Sequence, residues 1–190
     1  MRRKSIVNLT KAQIAAALPR VEVGLEKYTW LQTELQGRVV SCDSEYQKRF
    51  GGFYRVRRNS AWRSAYFHIL EDAKSRPISF EEALRSICDA TGRVEASFAS
   101  KLIATLDPSQ PVIDSIVLEN LGLGLPNRAS SDRLVRVAAL HQQLVELYSG
   151  YLSSECGNDL VAQFRRAYPT AQIAEVKMLD FVLWQTRAKA

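Results

Sequence analysis

The acid Asp114 stands where a carboxylate could do chemistry, in the segment PVIDSIVLENLGL of residues 111–123. It follows a proline and two apolar residues, and it opens a short apolar run that is typical of a helix. Aspartate is among the best N-caps, because its carboxylate accepts free N–H groups of the first turn. A carboxylate held in this way has a fixed direction and is kept ionised by the helix dipole. Asp114 is therefore predicted as a helix cap, as a catalytic carboxylate that stabilises developing positive charge, or as both.

Basic and aromatic side chains interleave in residues 46–63, YQKRFGGFYRVRRNSAWR, which contain no acid. Arginines can neutralise phosphates, and aromatic rings can stack on exposed bases. Gly51 and Gly52 predict the end of a helix, and they allow a ligand to approach the backbone closely. The predicted DNA-binding residues of this segment are Arg49, Arg55, Arg57, Arg58 and Arg63, and the predicted stacking or pocket residues are Phe53, Tyr54 and Trp62. The alternative is a solvated basic turn beside a core helix, with Trp62 as packing.

Asp180 is an acid on an otherwise apolar helical face in VKMLDFVLWQTR. An unpaired buried charge costs much free energy, so the acid should be paired or functional. Pairing with an arginine is one interpretation. A place in a pocket, where the carboxylate recognises the edge of a base, is the other.

Composition limits the class of protein. The chain has 190 residues, of which 46% are hydrophobic, so it can bury a sizeable core. Its net charge of +6 permits attraction to a polyanion without establishing it. No apolar run is long enough to span a membrane, and the N-terminus lacks the apolar stretch of a secretory signal, so a cytoplasmic protein is expected.

The residues that bind metals are few and scattered. Cys42, Cys88 and Cys156 fit no C-x-x-C pattern and are expected to be reduced core thiols. The two histidines have no clustered carboxylates beside them. We therefore expect neither a metal ion nor any other cofactor.

Apolar periodicity predicts helices almost throughout the chain. The clearest stripe lies in NSAWRSAYFHILEDAKS, where apolar residues from Trp62 to Ala73 fall on one face. Ser79 and Glu82 predict a capping box at the start of the next helix. Only GRVVSC hints at a strand. The prediction is a single all-α domain of nine or ten helices over residues 1–190, as one body or as two lobes with a cleft between them.

Residues 92–126 contain a segment, EASFASKLIATLDPSQPVIDSIVLENLGLGLP, that resembles part of the helix-hairpin-helix DNA glycosylase superfamily. In that superfamily a helix leads through a loop with a proline-valine step to an aspartate that opens the next helix. That helix typically ends in a Leu-Gly-Leu-like stop. Here the corresponding features are Pro111-Val112, Asp114 and the segment 121–123.

The resemblance implies a two-lobed helical fold and base excision from double-stranded DNA. Such enzymes extrude a nucleotide and cleave its N-glycosidic bond, and an ionised carboxylate stabilises the oxocarbenium-like sugar. Asp114 takes that role by resemblance, and Gly92 and Lys101 are predicted to contact DNA around the hairpin position. The position that carries a lysine in bifunctional members falls near Ala96 or Ser97. A monofunctional enzyme without a Schiff-base step is therefore expected.

Two other functions remain open from the residues. One is a non-catalytic helical module that binds nucleic acid through the same arginines and uses Asp114 only as a cap. The other is a helical protein-interaction domain whose positive charge is incidental. The oligomeric state is not predicted.

Overall fold

The computed structural model describes residues 9–186, which form ten α-helices and one short 3₁₀ helix. The helices are α1 (Lys11–Ala17), α2 (Glu22–Leu35), α3 (Ser44–Tyr54), α4 (Ser60–Ser75), α5 (Phe80–Thr91), α6 (Ala96–Leu106), α7 (Ser115–Asn120), α8 (Arg133–Leu152), α9 (Glu155–Ala167) and α10 (Glu175–Gln185). The 3₁₀ helix, Leu18–Arg20, links α1 to α2. The prediction of an all-α fold of nine or ten helices is confirmed. The sequence also predicts a last helix at about residues 173–188, and the end of that prediction lies outside the described residues.

Local signals define several helices as the sequence predicts. Ser79 and Glu82 form the expected capping box at the start of α5. Asn59 caps α4 by accepting from the Trp62 N–H at 2.9 Å. The apolar stripe of α4 faces the interior, with Trp62 and Ala73 both buried. These elements agree with prediction because their determinants lie within a few residues of one another.

Two local predictions are wrong. Within the described residues no strand occurs, and the GRVVSC segment forms turns. The helix α3 does not stop at Gly51 and Gly52 but continues to Tyr54. Aromatic side chains at the end of α3 are buried against the core, and that packing outweighs the unfavourable helix propensity of glycine.

The core is one cluster of buried apolar side chains, and α6 and α10 run through it. Nine residues of α6 are buried, from Ala96 to Thr105. In α10, seven consecutive residues from Lys177 to Leu183 are buried. A helix that is buried on every face lies in the interior of the fold. The charged residues of α6 and α10 are therefore carried into the interior, where they form the site described below.

The cysteine prediction is wrong in part. Cys42 and Cys156 are exposed, and Cys88 is half-buried. Cys42 lies in a turn, and Cys156 lies in the first turn of α9 on the solvent side, so neither packs in the core. No helix in residues 9–186 combines the length and apolar character that crossing a bilayer requires.

Candidate functional site

Asp114 lies on the wall of a small cavity that also contains the three buried charged side chains Lys101, Lys177 and Asp180. Four aromatic rings complete much of the wall, namely those of Phe53, Tyr54, Phe181 and Trp184. The cavity volume is about 20 Å³, which is roughly enough for one water molecule. We call this space the Asp114 cavity. Its residues come from the end of α3, from α6, from α10 and from the loop that leads into α7.

The half-buried Asp114 caps α7 as predicted. Its Oδ1 accepts a hydrogen bond from the Ile116 N–H at 2.9 Å. A side chain of the core helix α6 holds the loop before it, because the Ile113 N–H donates to Ser100 Oγ at 2.9 Å. The backbone of Val112 in the same loop opposes the rise in the pKa of Asp180 of α10. The direction of the Asp114 carboxylate is thus fixed by its own cap and by its neighbours, while its catalytic role stays a prediction.

Lys101 points into the interior from the middle of α6 and is only 7% exposed. Its Nζ donates to the Tyr54 carbonyl oxygen at 3.2 Å and lies 5.1 Å from the centre of the Phe98 ring. Burial lowers the pKa of Lys101 to about 8, and the Asp114 carboxylate offsets part of that effect. Lys101 does not lie on the surface, because α6 is buried on every face here, and its predicted contact with DNA stays a prediction. The same burial places its amine in the cavity with Asp114.

Lys177 and Asp180 form a buried ion pair one turn apart on α10. They are 4% and 6% exposed, and the Lys177 Nζ to Asp180 Oδ2 distance is 3.3 Å. The Tyr148 hydroxyl of α8 donates to Asp180 Oδ1 at 2.6 Å. Burial raises the pKa of Asp180, against the opposing effects of Lys177 and Tyr148. Asp180 is buried and paired, but its partner is a lysine of the same helix and not the arginine that the sequence suggested.

The prediction that Gly51 and Gly52 end the helix places Phe53 and Tyr54 in a glycine-rich turn, and that placement is wrong. Phe53 and Tyr54 are 5% and 3% exposed in the last turn of α3, because the helix continues past the glycines. Their ring centres are 4.6 Å apart, and the Phe53 ring lies 5.8 Å from that of Trp184. They line the Asp114 cavity from inside the fold and are not available for stacking at the surface.

Trp62 supports the packing alternative. It is buried at the start of α4 and stacks on Tyr66, with ring centres 5.1 Å apart. It also packs against Phe98 of α6, with ring centres 4.6 Å apart. Trp62 does not line the Asp114 cavity, and its predicted role in stacking on a base stays a prediction.

The arginines of the basic segment are dispersed over different surroundings. Arg49 pairs with Glu45 at 2.9 Å, and its guanidinium lies over the Trp30 ring. Arg55 ends α3 with a left-handed φ of 56°, and its guanidinium lies 6.0 Å from the Trp184 ring at the cavity.

The remaining predicted residues lie away from the cavity. Arg58 pairs with Glu95 at 2.8 Å. Arg57 is exposed, and Arg63 is half-buried in the first turn of α4. Gly92 ends α5 with a φ of 68°, as expected of a glycine that closes a helix. The basic segment therefore does not form one surface, and only Arg55 of its five predicted DNA-binding arginines lies beside the cavity.

Sequence reasoning missed Lys177 and gave Lys101 the wrong place. The signal for Lys101 is a lysine surrounded by apolar residues in FASKLIATL, which is typical of a fully buried helix. The signal for Lys177 is a lysine three residues before an acid on an apolar face, a spacing that brings the two side chains together. In the described part of the chain, no three His, Cys, Asp or Glu side chains gather closely enough to hold a metal ion.

Comparison with known proteins adds no relative to these observations. No protein-family model matches the chain, and no match is found among curated proteins or solved structures. Any function assigned to the Asp114 cavity therefore rests on its own residues.

Proposed function

We propose that this chain is a DNA glycosylase-like enzyme that hydrolyses the N-glycosidic bond of an extruded damaged or modified base. One observation carries the proposal, which is the convergence on one cavity of an oriented carboxylate, two buried lysines and four aromatic rings. These groups come from α3, α6, the start of α7 and α10. Their meeting in the interior is unusual for groups with no function, because each buried charge costs free energy.

The chemistry assigns a separate role to each group. As the bond between C1′ and the base nitrogen breaks, the electron pair leaves with the base and C1′ becomes positive. The Ile116 N–H holds Oδ1 of Asp114, so Oδ2 is the oxygen that would face C1′ and stabilise this charge. Lys101 would stabilise the negative charge on the departing base. Water then adds to C1′, and the proton that it loses passes to the nitrogen of the departing base.

The cavity must widen before a base can enter. Its volume of about 20 Å³ is far below the roughly 300–1,000 Å³ of drug-sized ligand sites. A second pocket of about 170 Å³ lies on the other side of the wall that Phe53, Phe181 and Trp184 form. Trp184 is the half-buried member of that wall. In this proposal the Trp184 ring moves outward and joins the two spaces.

Asp114→Asn tests the catalytic role. Asparagine caps a helix about as well as aspartate, so the variant should fold and bind an unmodified duplex like the wild type. Its cleavage rate on a panel of modified duplexes should fall by about 100-fold or more, in the range for loss of one transition-state contact. The matched control is Asp43→Asn, which changes the N-cap aspartate of α3. It should keep full activity.

The same panel separates the competing functions. Full activity of Asp114→Asn would remove this carboxylate from the mechanism. Wild-type protein that binds duplexes but cleaves none of them would be a non-catalytic nucleic-acid module. Wild-type protein that binds no DNA even at low salt would be an interaction domain.

The buried amine of Lys101 points to a second activity, which is condensation with the abasic sugar, and this activity can be tested. A buried amine with a lowered pKa is a nucleophile that can condense with an aldehyde, and hydrolysis exposes an aldehyde at C1′ of the abasic sugar. If the Lys101 amine in the cavity reacts with this aldehyde, the enzyme is not monofunctional, contrary to the expectation from the sequence. Borohydride trapping on an abasic duplex would give a covalent adduct with wild-type protein, and none with Lys101→Met, if the lysine forms an imine. The absence of an adduct with either protein would support the monofunctional expectation.

A further inference from the structure

One groove lies between the start of α6 and the loop before α8, and an adjoining groove lies between the start of α4 and the end of α5. Their volumes are about 810 and 470 Å³, and Arg58 and Arg93 line both of them. Their walls carry five arginines and one acid, Glu95. The arginines are Arg57, Arg58, Arg93, Arg128 and Arg133. We call the combined feature the arginine groove.

The acid in the arginine groove is already neutralised. Arg58 Nη2 donates to both carboxylate oxygens of Glu95, at 2.8 and 3.0 Å, and Arg58 Nε donates to Oε1 at 3.2 Å. Glu95 stands before α6 but makes no side-chain cap bond to its first turn. The Glu95 carboxylate therefore accepts no hydrogen bond from the first N–H groups of α6. It neutralises Arg58 only, and the other arginines of the groove keep their positive charge.

Three of those other arginines form no ion pair with an acid of the described residues. Arg57, Arg93 and Arg128 are exposed, and none of them makes an ion pair within residues 9–186. Arg133 is half-buried and donates to the Pro126 carbonyl oxygen at 2.8 Å, which ties the loop before α8 to the start of that helix. By contrast, Arg38, which lies outside the groove, forms ion pairs with three acids. The positive charge of the groove is thus available to an external anion.

We propose that the arginine groove binds the phosphodiester backbone of double-stranded DNA. The guanidinium fork matches a phosphate with two hydrogen bonds. The arginines come from three separate stretches, which lie before α4, before α6, and around the start of α8. Charges spread along a channel suit a polymer with repeated phosphates better than one small anion.

The groove is also close to the Asp114 cavity. Phe98 lines the groove, and its ring centre is 5.1 Å from Nζ of Lys101, which lines the cavity. One turn of α6 therefore separates phosphates in the groove from a nucleoside beside Asp114. The choice of duplex DNA as the polymer rests on the proposed function. The existence of the groove and its positive charge does not depend on that function.

The test compares two triple variants that remove the same charge. Arg57→Gln/Arg93→Gln/Arg128→Gln changes the groove. Arg20→Gln/Arg85→Gln/Arg166→Gln changes three exposed arginines that lie outside the groove. The probe is a short fluorescein-labelled unmodified duplex, and its affinity is measured by anisotropy over a range of NaCl concentrations.

Phosphate contacts give the expected result. Each lost contact reduces the slope of log affinity against log salt by about 1, so the groove variant should lose about 3 and bind about tenfold more weakly or worse at moderate salt. The control variant should keep the wild-type slope within about 1. Equal losses in both variants would overturn the proposal, as would wild-type protein that fails to bind at low salt. Tighter binding to single-stranded DNA or RNA than to the duplex would overturn the choice of duplex DNA.

The outcome can be separated from that of the proposed function. Asp114→Asn leaves the groove intact and should bind the duplex like the wild type. If groove-dependent binding is found while no modified duplex is cleaved, the proposed function fails and the groove stands. If Asp114-dependent cleavage is found and the groove variant has an unchanged KM and duplex affinity, the groove proposal fails alone.

Discussion

Removing one partner of the Lys177–Asp180 pair should destabilise the fold far more than removing both. Asp180→Asn keeps the shape of the side chain and an acceptor for the Tyr148 hydroxyl, but it leaves the Lys177 ammonium without a counter-charge. The ammonium is buried, so water cannot replace the lost partner. The amide N–H groups of asparagine would add repulsion at the same place.

The separation of the two charges sets the size of the effect. At 3.3 Å and an effective dielectric constant of about 20, the attraction is about 5 kcal/mol. We expect Asp180→Asn to lower the free energy of unfolding by about 3–5 kcal/mol, the range for breaking a buried ion pair. Lys177→Met should cost less, about 1–3 kcal/mol, because Asp180 keeps the Tyr148 donor and can take up a proton. The double variant Lys177→Met/Asp180→Asn should cost about 1 kcal/mol or less, since no buried charge remains.

Urea denaturation at neutral pH measures all four proteins, and the double-mutant cycle should give a coupling energy of about 2 kcal/mol or more. The pH dependence supplies an independent check. An acid whose pKa is raised on folding binds more protons in the folded state, so the stability that it contributes rises as pH falls. Lys177 opposes the rise in the pKa of Asp180, so this pKa should rise further in Lys177→Met, and the cost of the variant should shrink from neutral towards acid pH. The account of this pair as a buried charge interaction would be refuted by two results together. Each single variant would lower the free energy of unfolding by less than about 1 kcal/mol, and the two effects would be additive.

Two further predictions concern Lys101 and Gly157. Between pH 8 and pH 10.5 the folded protein has released the Lys101 proton while the unfolded chain retains it, so wild-type stability should rise with pH by about 3 kcal/mol relative to Lys101→Met. Parallel denaturation curves of the two proteins over this range would contradict the buried position of the amine. Gly157→Ala should lower stability by about 1–3 kcal/mol or more, since its Cβ would overlap the Tyr151 carbonyl oxygen and lie 2.6 Å from Leu152 Cα. The matched change Gly150→Ala in α8 meets open space and should raise stability by about 0.5–1 kcal/mol, and thermal unfolding compares the two.

The parts of the fold that the sequence predicts are those with local causes. The capping box of Ser79 and Glu82 and the N-cap at Asp114 each join groups within three residues. The stripe of α4 follows from the helical period alone. Such features need no knowledge of the rest of the chain.

The parts that it does not predict depend on contacts between distant residues. Gly51 and Gly52 carry a local signal to end α3, but the burial of Phe53 and Tyr54 against the core overrides that signal. Asp114 meets Lys101 and Lys177 only because α6 and α10 are both buried on every face. The arginine groove is assembled from three stretches, and the sequence predicts DNA contacts for only two of its five arginines, Arg57 and Arg58. The spacing of residues along the chain therefore predicts that Asp114 caps a helix, but it does not predict which distant residues surround Asp114.

The last turn of α3 affects how the space beside Asp114 could widen. Gly51 and Gly52 each weaken a helical turn by about 0.5–1 kcal/mol relative to alanine, and this turn holds Phe53 and Tyr54 in the cavity wall. Arg55 then closes the helix with a φ of 56°, a conformation that costs a non-glycine residue about 1–2 kcal/mol. Fraying at this end of α3 therefore requires less free energy than the same event in a helix without these features. Local melting of a single turn would loosen two of the aromatic side chains that now keep the carboxylate enclosed.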